Sequence, residues 1–289
     1  MTREKLTARS LRLLATALVT FFAMLALAPI ADARRVTERV ASGPTEVEFS
    51  YDVRGAFPQF SDLRVRIERE DEKLINQRVP GCPAGCGPAG RNADQRSVRL
   101  RDVDDDGEPE VLVDVFTGGA NCCSVSLLYA FRNAGDSYRR TIANWGRGGY
   151  LLRDFDGDRI LEFGARDRRF DYRFSCTACN SSPPRTWHFV GGRLRDVTRR
   201  FPGRITRDLR RVRRLYLRNR RSGAFATKGI LPAYAADQCL LNHCGRGFRV
   251  LERAARRGEF RSEGFNYGPT GRAFVRAVKR FLKRAGYVR

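Results

Sequence analysis

The sequence predicts an α+β chain: a β-rich N-terminal part of antiparallel strand repeats, followed by a basic all-α C-terminal region. Three observations carry this. Between residues 34 and 202, β-branched and aromatic residues alternate with polar ones in short segments. Two of these segments follow the same acidic motif, 52 residues apart. From Gly203 onward apolar residues recur every three or four positions, with arginine filling the other faces.

The chain opens with Arg3, Lys5, Arg9 and Arg12, then the apolar run Leu13 to Ala28, then Ala31-Asp-Ala33. A basic start, an apolar core and a small-x-small site make a secretory signal peptide, expected to be cleaved after Ala33. The remaining chain divides into a β-repeat domain over 34–202 and a helical domain over 203–289. A secreted or cell-envelope location follows.

Strands are expected at Val47 to Val53, Leu63 to Glu70 and Glu72 to Val79, then in SVRLRDV, EVLVDVF, SVSLLYAF and YRRTIANW. Pro80 to Gly90, rich in Gly, Pro and Cys, is expected as a loop. LRDVDDDGEPEV begins at Leu100 and LRDFDGDRILEF at Leu152. The offset superposes Asp102, Asp104, Asp106 and Glu110 on Asp154, Asp156, Asp158 and Glu162. An apolar strand follows each copy, giving roughly four strands in about 50 residues, the size of a propeller blade.

A run of carboxylates is either a solvated acidic turn or a cation site. In both copies the carboxylates stand at positions 1, 3, 5 and 9, where a loop can turn them inward around a hard cation such as calcium. Position 7 can add a carbonyl, from Glu108 or Ile160. Gly107 supplies the sharp turn at position 6, where the second copy has Arg159, so backbone strain is expected there. An EF-hand needs glutamate at position 12, and Val113 and Ala165 stand there instead.

The loop Asp-x-Asp-x-Asp-Gly-x-x-Glu between two strands resembles the calcium-binding repeats of the FG-GAP/VCBS family, which include the blades of integrin α-subunit propellers. The resemblance spans about Ser97 to Phe201. It implies Ca2+ held by Asp102, Asp104, Asp106 and Glu110, and by Asp154, Asp156, Asp158 and Glu162. Residues 34–202 hold only about three such units, and a ring needs at least four. The expectation is an incomplete propeller sealed by the helices, or else a sandwich of blade-type hairpins.

In the helical part, Ile205, Leu209, Val212 and Tyr216 make one stripe. A second helix is expected to begin with Pro232 in its first turn. A third carries Phe248 and Leu251 and stops at Gly258. The last carries Phe274, Val278, Phe281, Leu282 and Ala285, with Thr270 as N-cap and Gly286 as stop.

Eight cysteines in an exported chain read as disulfides. They fall in the close pairs Cys82 and Cys86, Cys122 and Cys123, Cys176 and Cys179, and Cys239 and Cys244. Adjacent Cys122 and Cys123 are expected to reach separate partners, Cys82 and Cys86 first. With only two histidines in the chain, a structural zinc is the lesser alternative.

The formal charge of +23 is uneven, with +18 on residues 203–289. Arg272, Arg276, Lys279, Arg280, Lys283 and Arg284 form a candidate face for an anionic cell-wall or membrane-surface polymer. No sequence-specific nucleic-acid motif occurs, and the protein or glycan ligand is not legible. No nucleophile, zinc-protease or phosphate-loop motif occurs either. His188 and His243 read as structural. The expected function is a secreted or cell-surface, calcium-stabilised binding protein of adhesion type, non-enzymatic. A cell-envelope-associated hydrolase is the alternative.

Overall fold

The structure is a computed structural model that describes residues 33–55, 57–80, 86–89, 96–119, 122–176, 178–222, 227–261 and 268–289. The expected signal peptide, Ala33 apart, lies outside the described residues, as does Cys82. Among the described residues no helix is long and apolar enough to cross a membrane.

The architecture is α+β. Among the described residues, thirteen strands form antiparallel sheets, and four helices follow them. The first sheet runs β1 (Arg34–Ser42), β2 (Thr45–Arg54), β3 (Gln59–Arg69) and β4 (Glu72–Arg78), each strand beside the next. The second holds β6 (Val98–Arg101), β7 (Glu110–Gly119), β8 (Cys122–Arg132) and β9 (Ser137–Gly146). The third holds β10 (Tyr150–Arg153), β11 (Glu162–Arg166), β12 (Pro184–Val190) and β13 (Arg193–Asp196).

Side chains on a strand alternate between faces, and the burial follows that period. Val47 and Phe49 of β2 lie opposite Ile67 and Val65 of β3, and all four are fully buried. They pack on Val111, Val113 and Leu127 of the second sheet. The other face of that sheet, Leu112, Leu128 and Ala130, packs on Phe163 and Phe189 of the third. The second sheet is therefore a middle layer buried on both faces. This is why β7 and β8 are almost continuously apolar rather than alternating.

Two strand expectations need correction. β1 was not expected: its sequence, RRVTERVAS, offers only Val36 and Val40 to the core. Cross-strand ion pairs, Arg35 to Asp52 (3.1 Å) and Arg39 to Glu48 (2.8 Å), hold it on β2 instead. Within the expected loop 80–90, Gly87 and Pro88 form a two-residue strand, β5, on β7. A Cβ on Gly87 would come within 2.3 Å of the Phe60 ring.

The helices are α1 (Pro202–Ser222), α2 (Thr227–Leu240), α3 (Cys244–Arg256) and α4 (Gly271–Arg284). α2 begins at Thr227, so Pro232 sits inside the helix and not in its first turn. α4 ends in a Schellman motif: the Gly286 N–H donates to Lys283 O (3.1 Å) and the Tyr287 N–H to Leu282 O (2.9 Å). Thr270 takes the N-cap position without a side-chain capping bond. Arg257 caps α3, with Gly258 in the left-handed region just after it. The helical core also takes in Phe170 and Phe174, from the connection between β11 and β12.

Cys176 is bonded to Cys179 and Cys239 to Cys244. Cys86 and Cys123 are also disulfide-bonded. The expected involvement of Cys82 and of the Cys122 side chain lies outside the described residues.

Candidate cation-binding loops

The two acidic motifs occupy corresponding places. Residues 102–109 join β6 to β7, which pair antiparallel, and residues 154–161 join β10 to β11, which do the same. Three hydrogen bonds recur in register. Position 1 accepts from the amide at position 6: Gly107 to Asp102 Oδ2 (2.9 Å), Arg159 to Asp154 Oδ2 (3.0 Å). Position 5 accepts from position 7: Glu108 to Asp106 Oδ1 (2.9 Å), Ile160 to Asp158 Oδ1 (3.1 Å). Position 9 accepts from position 2: Val103 to Glu110 Oε2 (3.0 Å), Phe155 to Glu162 Oε2 (2.8 Å).

Positions 4 and 6 take positive φ in both loops, at Asp105 and Gly107 in the first and Gly157 and Arg159 in the second. Arg159, at φ 72°, therefore carries the left-handed strain that Gly107 avoids, about 1 kcal/mol. Its guanidinium reaches across to Asp105 of the first loop (2.9 Å). The backbone joins the loops as well, Leu161 N–H donating to Val103 O (2.9 Å).

The eight expected ligands separate into two triplets and two outliers. Asp102, Asp104 and Glu110 each place one carboxylate oxygen within 4.8 Å of the other two. Asp154, Asp156 and Glu162 do the same. Asp106 and Asp158 stand outside these triplets, committed to the amides of their own loops.

The first triplet fits a cation on the chemistry of its oxygens. Asp102 Oδ1 and Asp104 Oδ1 are buried and accept no hydrogen bond among the described residues. Glu110 is buried at 3% exposure. Its pKa is pushed up to about 8, first by burial and then by the charges of Asp104, Asp106 and Asp102, against the Val103 amide that stabilises the ionised form. Asp104 is raised as well, by burial and then by Asp106. Asp104 and Glu110, converging with Asp102, resist ionisation, and a bound divalent cation would relieve this.

The second triplet differs. Both Asp154 oxygens take backbone amides, Oδ1 from Asp156 (3.2 Å) and Gly157 (2.6 Å), and these hold its pKa down. Glu162 Oε1 lies 2.9 Å from His188 Nε2. Arg200 Nη2 stands 3.6 Å from Asp156 and 3.5 Å from Asp158. His188 is buried, and His243 stands at the N-cap of α3.

On the basic face of α4, Arg272, Arg276, Arg280, Lys283 and Arg284 are exposed, while Lys279 is bonded to Glu252 (2.7 Å). A cleft of about 790 Å³ lies among β1, β6 and β10. Arg96, Arg99 and Arg101 line it, and Asp114 is its only carboxylate among the described residues. Arg99 pairs with Asp114 (2.5 Å), and its buried Nε donates to no acceptor among the described residues.

Sequence reasoning missed two groups. Arg200 gives no signal because its partners lie more than 40 positions earlier. Asp208 and Asp237 form a buried carboxyl pair between α1 and α2. A carboxylate within the apolar stripe Ile205–Val212 was the available signal.

Over 165 residues the chain is 27% identical to a probable thylakoid lumen protein of Synechocystis sp.. The match covers 53% of this chain and 46% of that protein, so the chain spans less than half the length of the curated relative it matches. No family model and no solved structure matches the chain.

Proposed function

We propose that this is an extracytoplasmic, non-enzymatic binding protein whose blade-like sheets are clamped by calcium. One observation carries the reading: Asp102 Oδ1 and Asp104 Oδ1 are buried without hydrogen-bond partners, beside buried Glu110. A buried carboxylate oxygen without a donor is costly, and a hard cation with oxygen ligands removes that cost. Asp102, Asp104 and Glu110 would hold the ion. It would rigidify the turn between β6 and β7, whose strands carry the middle layer of the fold.

Two things support the location: the basic-apolar leader of the sequence, and the lumenal relative. For the binding role, the cleft with Arg96, Arg99 and Arg101 favours an anionic ligand. The exposed basic residues of α4 favour an anionic envelope polymer.

Thermal melting of the mature protein in EDTA and in calcium tests the clamp. Saturation at 100 times the dissociation constant adds about 2.7 kcal/mol, a rise of roughly 5–10 °C for a chain of this size. The Asp102→Asn/Asp104→Asn variant should melt identically in both buffers. Identical melting of the unaltered protein in both would refute the clamp.

A further inference from the structure

The two loops share a backbone and differ in what neutralises them. In the first, two buried oxygens are left without protein donors. In the second, three amides saturate Asp154, His188 takes Glu162, and the guanidinium of Arg200 faces Asp156 and Asp158. We propose that the second loop takes no ion. It is a protein-clamped latch, in which Arg200 faces Asp156 of the triplet and Asp158 beside it and fastens the helices to the third sheet.

The surroundings of Arg200 support this. It belongs to the 3₁₀ turn Thr198–Arg200, just ahead of α1. Position 2 of the second loop is Phe155, where the first loop has Val103. Val103 is buried in the core between the second and third sheets. Phe155 turns toward the start of α1 instead: the Arg204 guanidinium lies 3.5 Å over its ring, and Phe201 meets it edge-on at 6.1 Å. Two guanidinium groups beside one acidic loop oppose a divalent ion there and bind the loop to the helix. Arg159 keeps its left-handed backbone at position 6, and its guanidinium adds a further cation to the junction of the two loops by pairing with Asp105.

The one-ion count rests on the calcium reading of the first loop; the latch does not. Calcium titration by calorimetry reads the count. One ion per chain is expected for the unaltered protein and for Asp154→Asn/Asp156→Asn, and none for Asp102→Asn/Asp104→Asn. Two ions, or loss of one in the second-loop variant, would overturn the proposal. No ion in the unaltered protein would refute the calcium reading and leave the latch to a second measurement. That is a double-mutant cycle in EDTA between Arg200→Gln and Asp156→Asn/Asp158→Asn. Arg200→Gln should lower the melting temperature by roughly 1–3 °C and by much less once both carboxylates are neutral. Additive losses would overturn the latch.

Discussion

Asp208 and Asp237 show how a single buried residue can carry pH dependence. Asp208 Oδ1 accepts from Arg166 (2.6 Å) and Arg211 (2.8 Å). Asp237 is fully buried, and burial first, then the Asp208 charge, raises its pKa well above the usual carboxylate value. Asp237 thus favours the protonated form, whose proton can serve Asp208 Oδ2, the oxygen that the arginines leave without a hydrogen bond among the described residues. A group with a raised folded pKa stabilises fully below its unfolded pKa, and that contribution is lost as pH rises through the folded value. Asp237→Asn keeps the donor and removes the titration, so this variant should melt higher than the unaltered protein at pH 8, with a smaller difference at pH 5. Asp208→Asn weakens the pairing to two half-exposed arginines and should cost about 1–2 kcal/mol. Equal melting of the Asp237→Asn variant and the unaltered protein across that range would contradict the assignment.

At the scale of elements, packing rather than propensity decides several boundaries. α2 includes Gly229, where a Cβ would meet the Cys179 carbonyl at 2.3 Å and the Ser175 Cβ at 2.9 Å. That carbonyl cannot retreat easily, because the Cys176–Cys179 bridge closes its loop and the Ser181 N–H donates to Gly229 O (3.0 Å). Gly229→Ala should therefore cost about 1–3 kcal/mol, visible as a lower denaturant midpoint with an unchanged slope. The same contact explains why the sequence placed the start of α2 too late. Pro232 is a strong local signal for a first turn, while the reason to begin earlier is a contact with residues 50 positions back. β1 is the converse case: its apolar pattern is thin because charges pair it to β2. The stripes of α1 and α4 were largely legible, since helix periodicity is local, although Leu209 stays outside the helical core that Ile205, Val212 and Tyr216 enter. Val275 of α4 was the buried residue that the stripe omitted.

Over the whole molecule, the order of parts was legible and their joints were not. Alternation gave the strands, and the 52-residue offset gave two loops at corresponding places in successive sheets. Neither could reveal that the second sheet is covered on both faces, that Phe170 and Phe174 enter the helical core, or that Arg200 crosses to the second loop. Each of these depends on contacts distant in sequence. Of the four carboxylates expected to converge in each loop, three do. Asp106 and Asp158 share the alternating spacing, yet spend an oxygen on a local amide instead. Spacing cannot distinguish a carboxylate that turns inward from one that braces the turn.

The central claim is that the first loop holds calcium, and crystals grown with calcium and measured for anomalous scattering test it most directly. One strong peak is expected 2.3–2.6 Å from oxygens of Asp102, Asp104 and Glu110, with the Gly107–Asp102 and Val103–Glu110 hydrogen bonds of the loop retained. Water-level density at that point, with the carboxylates turned to solvent at millimolar calcium, would contradict it.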